Sequence, residues 1–373
     1  MPLLTHLHPW SICRLGSPQC IQVTRQSPLA QGSHSSKFLP WPILGMNEKY
    51  FSSGSLNRRK PKLFPSVKRL TGDRLQAFCK KGALKLESHH LKPGHCFPDA
   101  KLHIAHLGPE TAGGILLYFH GGGYAYPASD GHFKLSRDLA PALACDRFAM
   151  LEYTLLPNGT YPTQLAQAVE ALRTILGSHE PQQIVLAGDS AGGNLALSLL
   201  AHLKSPHPNI EVLDLSSPLA AVICISPRCS NAQVTPSYSY NAANDIVDPA
   251  VAAELVAAWQ PAPDDVWSAA NNGDKKFWLG GRGTMTSQML ILAGDQECYL
   301  DDIRNFANTL DAKEGGEPKQ PDGPGQQDTV KLVVVSDTGH AQIVLDYARG
   351  VKFGRTSREL LQWASRNQVK MVR

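Results

Sequence analysis

No stretch of 18 consecutive apolar residues occurs in the 373-residue chain, so the sequence carries no signal for a membrane-spanning helix. Cysteines are few and scattered. None of the eight (Cys13, Cys20, Cys79, Cys96, Cys145, Cys224, Cys229 and Cys298) forms a Cys-x-x-Cys pair or a Cys/His cluster of zinc-like spacing. Neither a metal centre nor a disulfide framework is therefore expected. Thiols such as Cys224, inside Ala-Val-Ile-Cys-Ile, are expected to be buried and free, which favours a reducing compartment and, on that basis, the cytoplasm. Basic residues are mostly scattered rather than gathered in long runs, and the formal charge is only +4, so no nucleic-acid partner is expected.

Acidic residues are absent from the first 47 positions, where proportion alone would place about four. Arg14, Arg25 and Lys37 among many Ser and His give a composition like that of a transit peptide. Pro2, Pro9, Pro18 and Pro28 would break the amphipathic helix such a segment needs. Residues 1–60 are accordingly expected to be a poorly ordered extension, with a targeting segment as the alternative. A secretory signal is not indicated, because no charged opening is followed by a continuous apolar core.

What is present is a long alternation of two patterns. Short runs rich in Val, Ile and Leu occur at Gly114–Phe119, Arg147–Tyr153, Gln183–Ala187, Leu219–Ser226, Gln288–Ala293 and Lys331–Ser336, as expected of strands buried on both faces. Between them His132–Ala144, Thr163–Leu176, Ala191–Leu203 and Leu300–Leu310 carry apolar residues at helical intervals. This alternation predicts an α/β fold with a mostly parallel sheet covered on both sides, preceded by short antiparallel strands within 83–107. Ser230–Gly283 interrupts it with a helical stretch, Pro249–Trp259, and the anchors Trp259, Trp267, Phe277 and Trp278. An inserted helical cap is expected there. Asp311–Thr329, rich in Gly, Pro, Gln, Lys and Asp, is expected to be a flexible surface loop.

Gly188-Asp-Ser-Ala-Gly192 lies between the strand pattern ending at Ala187 and the helix pattern opening at Ala191. Strand, tight turn and helix are the context in which Gly-x-Ser-x-Gly makes a nucleophile elbow, lifting Ser190 above the sheet at the positive end of a helix. By itself the five-residue pattern is common. His120-Gly-Gly-Gly-Tyr124 follows another strand pattern and leaves backbone N–H groups uncovered. Gly122 and Gly123, with Ala191, are the candidate donors to an oxyanion. A plain glycine-rich turn remains open, whereas a phosphate-binding loop lacks the Lys-Ser/Thr it would need. His120 is expected to shape the loop by hydrogen bonding rather than to carry protons.

His120-Gly-Gly-Gly-Tyr124 before Gly188-Asp-Ser-Ala-Gly-Gly-Asn194 resembles the hormone-sensitive-lipase-like family of esterases within the α/β-hydrolase fold, over about residues 80–370. The resemblance implies a Ser–Asp–His order on successive strands, no cofactor and a small-molecule ester substrate. It makes Asp295, directly after Gln288–Ala293, the favoured acid, with Glu297 the nearest rival. Asp301 and Asp302 fall inside the next helix. His340, after Lys331–Ser336 and a Gly-containing loop, is the implied base. Under these assignments residues 61–373 form one hydrolase domain, with cap elements from its N-terminal part and from 230–283.

One departure concerns the substrate. Ser226-Pro227-Arg228 places a charge where related sequences often have Trp. Tyr124, Tyr126, Arg228, Asn244, Asp245 and the cap aromatics are candidates to line the pocket, or merely to pack the cap. Ser239–Asp245 is similar to fungal members of the family, some of which tailor natural products, so deacetylation of a secondary metabolite is one expectation. Amide or formamide hydrolysis by the same triad is the rival chemistry. A non-catalytic ligand-binding member of the fold is the rival class, although such proteins typically lose a triad residue.

Overall fold

The computed structural model describes residues 64, 69–108, 113–280, 285–312, 314–315 and 329–368. The expected extension over residues 1–60, and most of the expected loop 311–329, lie outside the described residues. Eight strands form one sheet: β1 (Leu86–Leu91), β2 (Ala100–His106), β3 (Gly114–Phe119), β4 (Cys145–Glu152), β5 (Ile184–Asp189), β6 (Ala221–Ile225), β7 (Gln288–Gly294) and β8 (Thr329–Val335). Their order is β1-β2-β4-β3-β5-β6-β7-β8. The β1–β2 and β2–β4 pairs are antiparallel, and every later pair is parallel.

The continuous apolar runs follow from burial on both faces. Ile115, Leu117 and Phe119 of β3 join one apolar cluster, while Leu116 and Tyr118 join the other. The same alternation divides Ile184 and Leu186 from Val185 and Ala187 on β5. The first cluster is completed by α3 (Thr163–Leu176), α4 (Ala191–Lys204) and α8 (Leu300–Thr309). The second is closed by α1 (Thr71–Lys81), α2 (Asp130–Ala142), α9 (Gln342–Arg349) and α10 (Arg355–Arg366). Helices α1, α9 and α10 go beyond those expected from the sequence.

The interruption after β6 holds α5 (Ser237–Tyr240), α6 (Pro249–Trp259) and α7 (Lys275–Leu279). Helix α6 begins where Pro249 follows Asp248, whose side chain accepts the N–H groups of Ala250 and Val251. Leu255 of α6 lies against Gly123, and Trp259 stacks on Tyr124 at 4.7 Å, so this segment covers the loop after β3. Among the described residues no helix is long and apolar enough to cross a membrane. The six described cysteines are free thiols, and all but Cys96 are buried.

Candidate active site

Ser190 sits where β5 turns into α4, with φ 55° and ψ −118°. A side chain in this region costs on the order of 1–3 kcal/mol, so the surroundings must hold it. Ser190 N–H donates to Ile225 O at 2.9 Å, and its carbonyl accepts from Asn194 N at 2.9 Å and Arg228 N at 3.2 Å. Gly192 is required by close approach: a Cβ there would lie 2.0 Å from the Phe119 carbonyl oxygen.

The loops after β7 and β8 bring the remaining groups to Ser190, all at the carboxyl ends of parallel strands, where open α/β sheets place their sites. Ser190 Oγ lies 2.8 Å from His340 Nε2, and His340 Nδ1 lies 2.8 Å from Glu297 Oε2. Glu297 Oε1 accepts Gly294 N–H at 2.9 Å. The expected acid, Asp295, is not the carboxylate on His340, and here the sequence reading is corrected. Asp295 N–H still bonds Val335 O at 3.1 Å, extending the sheet ladder, and its Oδ1 accepts Thr338 N–H at 3.3 Å. The chain turns inward two residues later, and the longer Glu297 side chain reaches back, fully buried, to the imidazole.

Electrostatics fit a relay of this kind. Burial pushes the Glu297 carboxyl up, opposed by His340 and by the Gly294 N–H, and the net direction is upward. Burial alone would lower His340. Its hydrogen bond to Glu297 and the charges of Glu297, Asp245 and Asp189 outweigh that, and its pKa rises above 6.5. An imidazole raised in this way holds a proton more readily.

The loop after β3 is tied to the elbow from below. Asp189, next to the serine, is buried and accepts Tyr118 OH at 2.9 Å and Gly121 N–H at 3.0 Å, with His132 Nε2 at 3.3 Å. Burial would raise this carboxyl, but His132, Tyr118 and Gly121 together pull it below its ordinary value. Gly122 adopts φ +110°, which a side chain rarely tolerates, and its carbonyl accepts from Ala125 and Tyr126. His120 is fully buried beneath this loop, bonded to Gly121 O, to the Tyr153 hydroxyl and to Thr71 Oγ1, and stacked on Tyr153 at 4.3 Å. Burial, reinforced by His132, lowers its pKa to about 4. It is a neutral shaping residue, placed as its motif position implied.

The candidates for pocket lining separate. Tyr124 and Arg228 are buried supports: Tyr124 OH donates to Asn194 Oδ1 at 2.8 Å, and Arg228 NH2 reaches the same oxygen at 3.0 Å. The Arg228 guanidinium lies 4.7 Å over the Trp259 ring, so aromatic faces and two Asn side chains take the charge. Tyr126 is half-buried and Asn244 is exposed. Asp245 contacts the loops of Glu297 and His340 directly. Among the described residues no group of three or more His, Cys, Asp and Glu has a metal-binding arrangement.

A family model described as alpha/beta hydrolase fold matches residues 116–326. The chain belongs to the alpha/beta hydrolase fold family. An acetyl-hydrolase from Streptomyces hygroscopicus is 32% identical over 195 residues, covering 52% of this chain and 60% of that relative. The chain therefore spans less than two-thirds of that relative's length. A thermostable esterase from Pseudomonas putida ECU1011 shares the fold with a TM-score of 0.62 and 15% identity, over 82% of this chain and 92% of that one. An esterase from the bacterial hormone-sensitive lipase family aligns with a TM-score of 0.57 and 21% identity, over 81% and 93% of the two chains.

Proposed function

We propose that this alpha/beta hydrolase cleaves carboxylic esters with Ser190 as nucleophile, Glu297 and His340 completing the triad. The observation that carries this reading is the continuous relay from Ser190 Oγ through His340 to Glu297, both links at 2.8 Å, at a strained turn. His340 Nε2 takes the hydroxyl proton as Ser190 Oγ bonds to the substrate carbonyl carbon. Glu297 holds the Nδ1–H tautomer and stabilises the imidazolium. Gly122, Gly123 and Ala191 supply the N–H donors to the tetrahedral oxyanion. Among the described residues none of those three N–H groups donates in the backbone bonds of the turns, loops and caps.

Collapse of the intermediate breaks the ester C–O bond, and His340 returns the proton to the leaving alcohol. Water, deprotonated by the same nitrogen, then attacks the acyl-enzyme and releases the acid and Ser190. The acetyl-hydrolase name of the Streptomyces relative supports short acyl groups, acetyl foremost. An acetylated natural product belongs among the substrates to be tried. An intact Ser–His–Glu relay supports catalysis over ligand binding alone.

The test is turnover of p-nitrophenyl acetate by wild type and by Ser190→Ala. The expected loss in kcat is about 10⁶-fold, the scale on which a serine nucleophile's removal acts in comparable triads. Undiminished turnover by the pure variant would overturn the proposal.

A further inference from the structure

We propose that Asp245, on the cap segment between α5 and α6, is a positioning residue that locks the loops of Glu297 and His340 into a single register. This rests on the triad reading above. Both oxygens of the carboxylate are engaged. Oδ1 accepts His340 N–H at 3.0 Å and Ile246 N–H at 2.7 Å, and Oδ2 accepts Cys298 N–H at 2.7 Å. His340 is the base itself, and Cys298 is the residue after the acid. The two lie 95 and 53 positions from Asp245 and belong to different strand-end loops. One carboxylate thus joins two loops that no local sequence relation holds together.

The neighbouring residues reinforce the grip. Asn241 Nδ2 donates to Glu297 O at 2.9 Å and to Asp295 O at 3.3 Å, and Ser237 Oγ donates to Cys298 O at 2.6 Å. From Ser237 to Asp245 the cap segment is stitched along the acid loop, and its last contact reaches the base. Cap placement and triad geometry are therefore one variable.

The carboxylate also acts by charge. His340 is faced by Glu297 from the β7 loop, by Asp189 at the end of β5 and by Asp245 from the cap, with the Tyr299 ring edge-on at 4.8 Å. Around Asp245 the other titratable groups are Glu297, Cys298 and Tyr299, all held up partly by its negative charge, and Asp248 on its own segment. Removing that charge withdraws part of what holds the imidazole pKa up. Asp245 touches no reacting atom, so substrate binding is spared.

Asp245→Asn tests this. The amide oxygen keeps one loop N–H, while its NH2 faces the other donor, and that loop is released. Expected are a 10- to 100-fold lower kcat, scaled on about 10²-fold for a misplacement near 1 Å, an unchanged KM, and an acid limb of the kcat/KM profile moved to lower pH. Asp248→Ala removes a charge and a helix cap from the same segment, where the carboxylate bonds Ala250 N–H and Val251 N–H rather than a triad loop. It should lower thermal stability and leave the acid limb in place. Should Asp245→Asn not fold, Asn241→Ala removes the companion hold and keeps the charge; it should lower kcat without moving the acid limb. Wild-type kcat and pH profile in a folded Asp245→Asn, or in Asn241→Ala if only that variant folds, would overturn the proposal. Activity surviving in Ser190→Ala would instead overturn the triad reading, so the two failures are distinguishable.

Discussion

Replacing Glu297 by Gln separates the two carboxylates that follow β7. In the wild type Glu297 Oε2 accepts the His340 Nδ1 proton at 2.8 Å while Oε1 caps Gly294 N–H at 2.9 Å. A glutamine holding its oxygen on Gly294 turns its NH2 toward Nδ1, and two donors then face each other. The imidazole relieves this by moving its proton to Nε2, and that tautomer cannot accept the Ser190 proton. Loss of the orienting carboxylate in a comparable triad lowers kcat about 10⁴-fold, which is ~5 kcal/mol of transition-state stabilisation. Folding should survive, because the change removes a fully buried charge and retains its size. Asp295→Asn is the control. It keeps an acceptor for Thr338 N–H, and activity should stay within about threefold of wild type. The assay is kcat/KM on p-nitrophenyl acetate for both variants, with far-ultraviolet circular dichroism to confirm folding. A large loss in Asp295→Asn beside a mild one in Glu297→Gln would refute the assignment of Glu297.

Three further outcomes follow from the same geometry. His340 must be neutral to act as base and its pKa is raised, so kcat/KM should fall as pH drops through a midpoint above 6.5; a midpoint well below 6.5 contradicts the Glu297 and Asp245 contributions. Gly192→Ala puts a methyl 2.0 Å from the Phe119 carbonyl and should cost about 2–4 kcal/mol of unfolding free energy with loss of activity, read by chemical denaturation; a near-neutral change would show that the elbow is looser than described. Asp189, whose folded pKa is depressed, stabilises fully above its unfolded value near 3.8 and loses that contribution as pH falls through the folded value. Asp189→Asn should therefore flatten the stability–pH curve below about pH 4, and an unchanged curve would contradict the buried network.

Much of the sheet is legible because its central strands are buried on both faces, so apolar runs such as Gly114–Phe119 announce themselves. Helix α6 is legible at both ends, from Pro249 after a capping Asp to Trp259. Helix α10 carries Leu360, Trp363 and Ala364 on its buried face, with half-buried Leu361 beside them, a helical spacing that is present in the sequence. Ser190 and the glycine loop are marked by local backbone demands that few sequences meet. The carboxylate on His340 is different in kind. Whether Asp295 or Glu297 turns inward depends on the ladder bond from Asp295 to Val335 and on the turn near Thr338, about forty positions later in the chain. Nothing local to Gly294–Glu297 encodes that. Arg228 likewise looks like a pocket charge in sequence and is instead enclosed by Asn194, Asn231 and Trp259.

The nucleophilicity of Ser190 is tested most directly by peptide mass spectrometry after treatment with a fluorophosphonate. The expected result is one stoichiometric adduct on Ser190, formed faster as pH rises through the His340 pKa and blocked by a competing acetate ester. An unreactive Ser190 in a protein that still hydrolyses esters would contradict it.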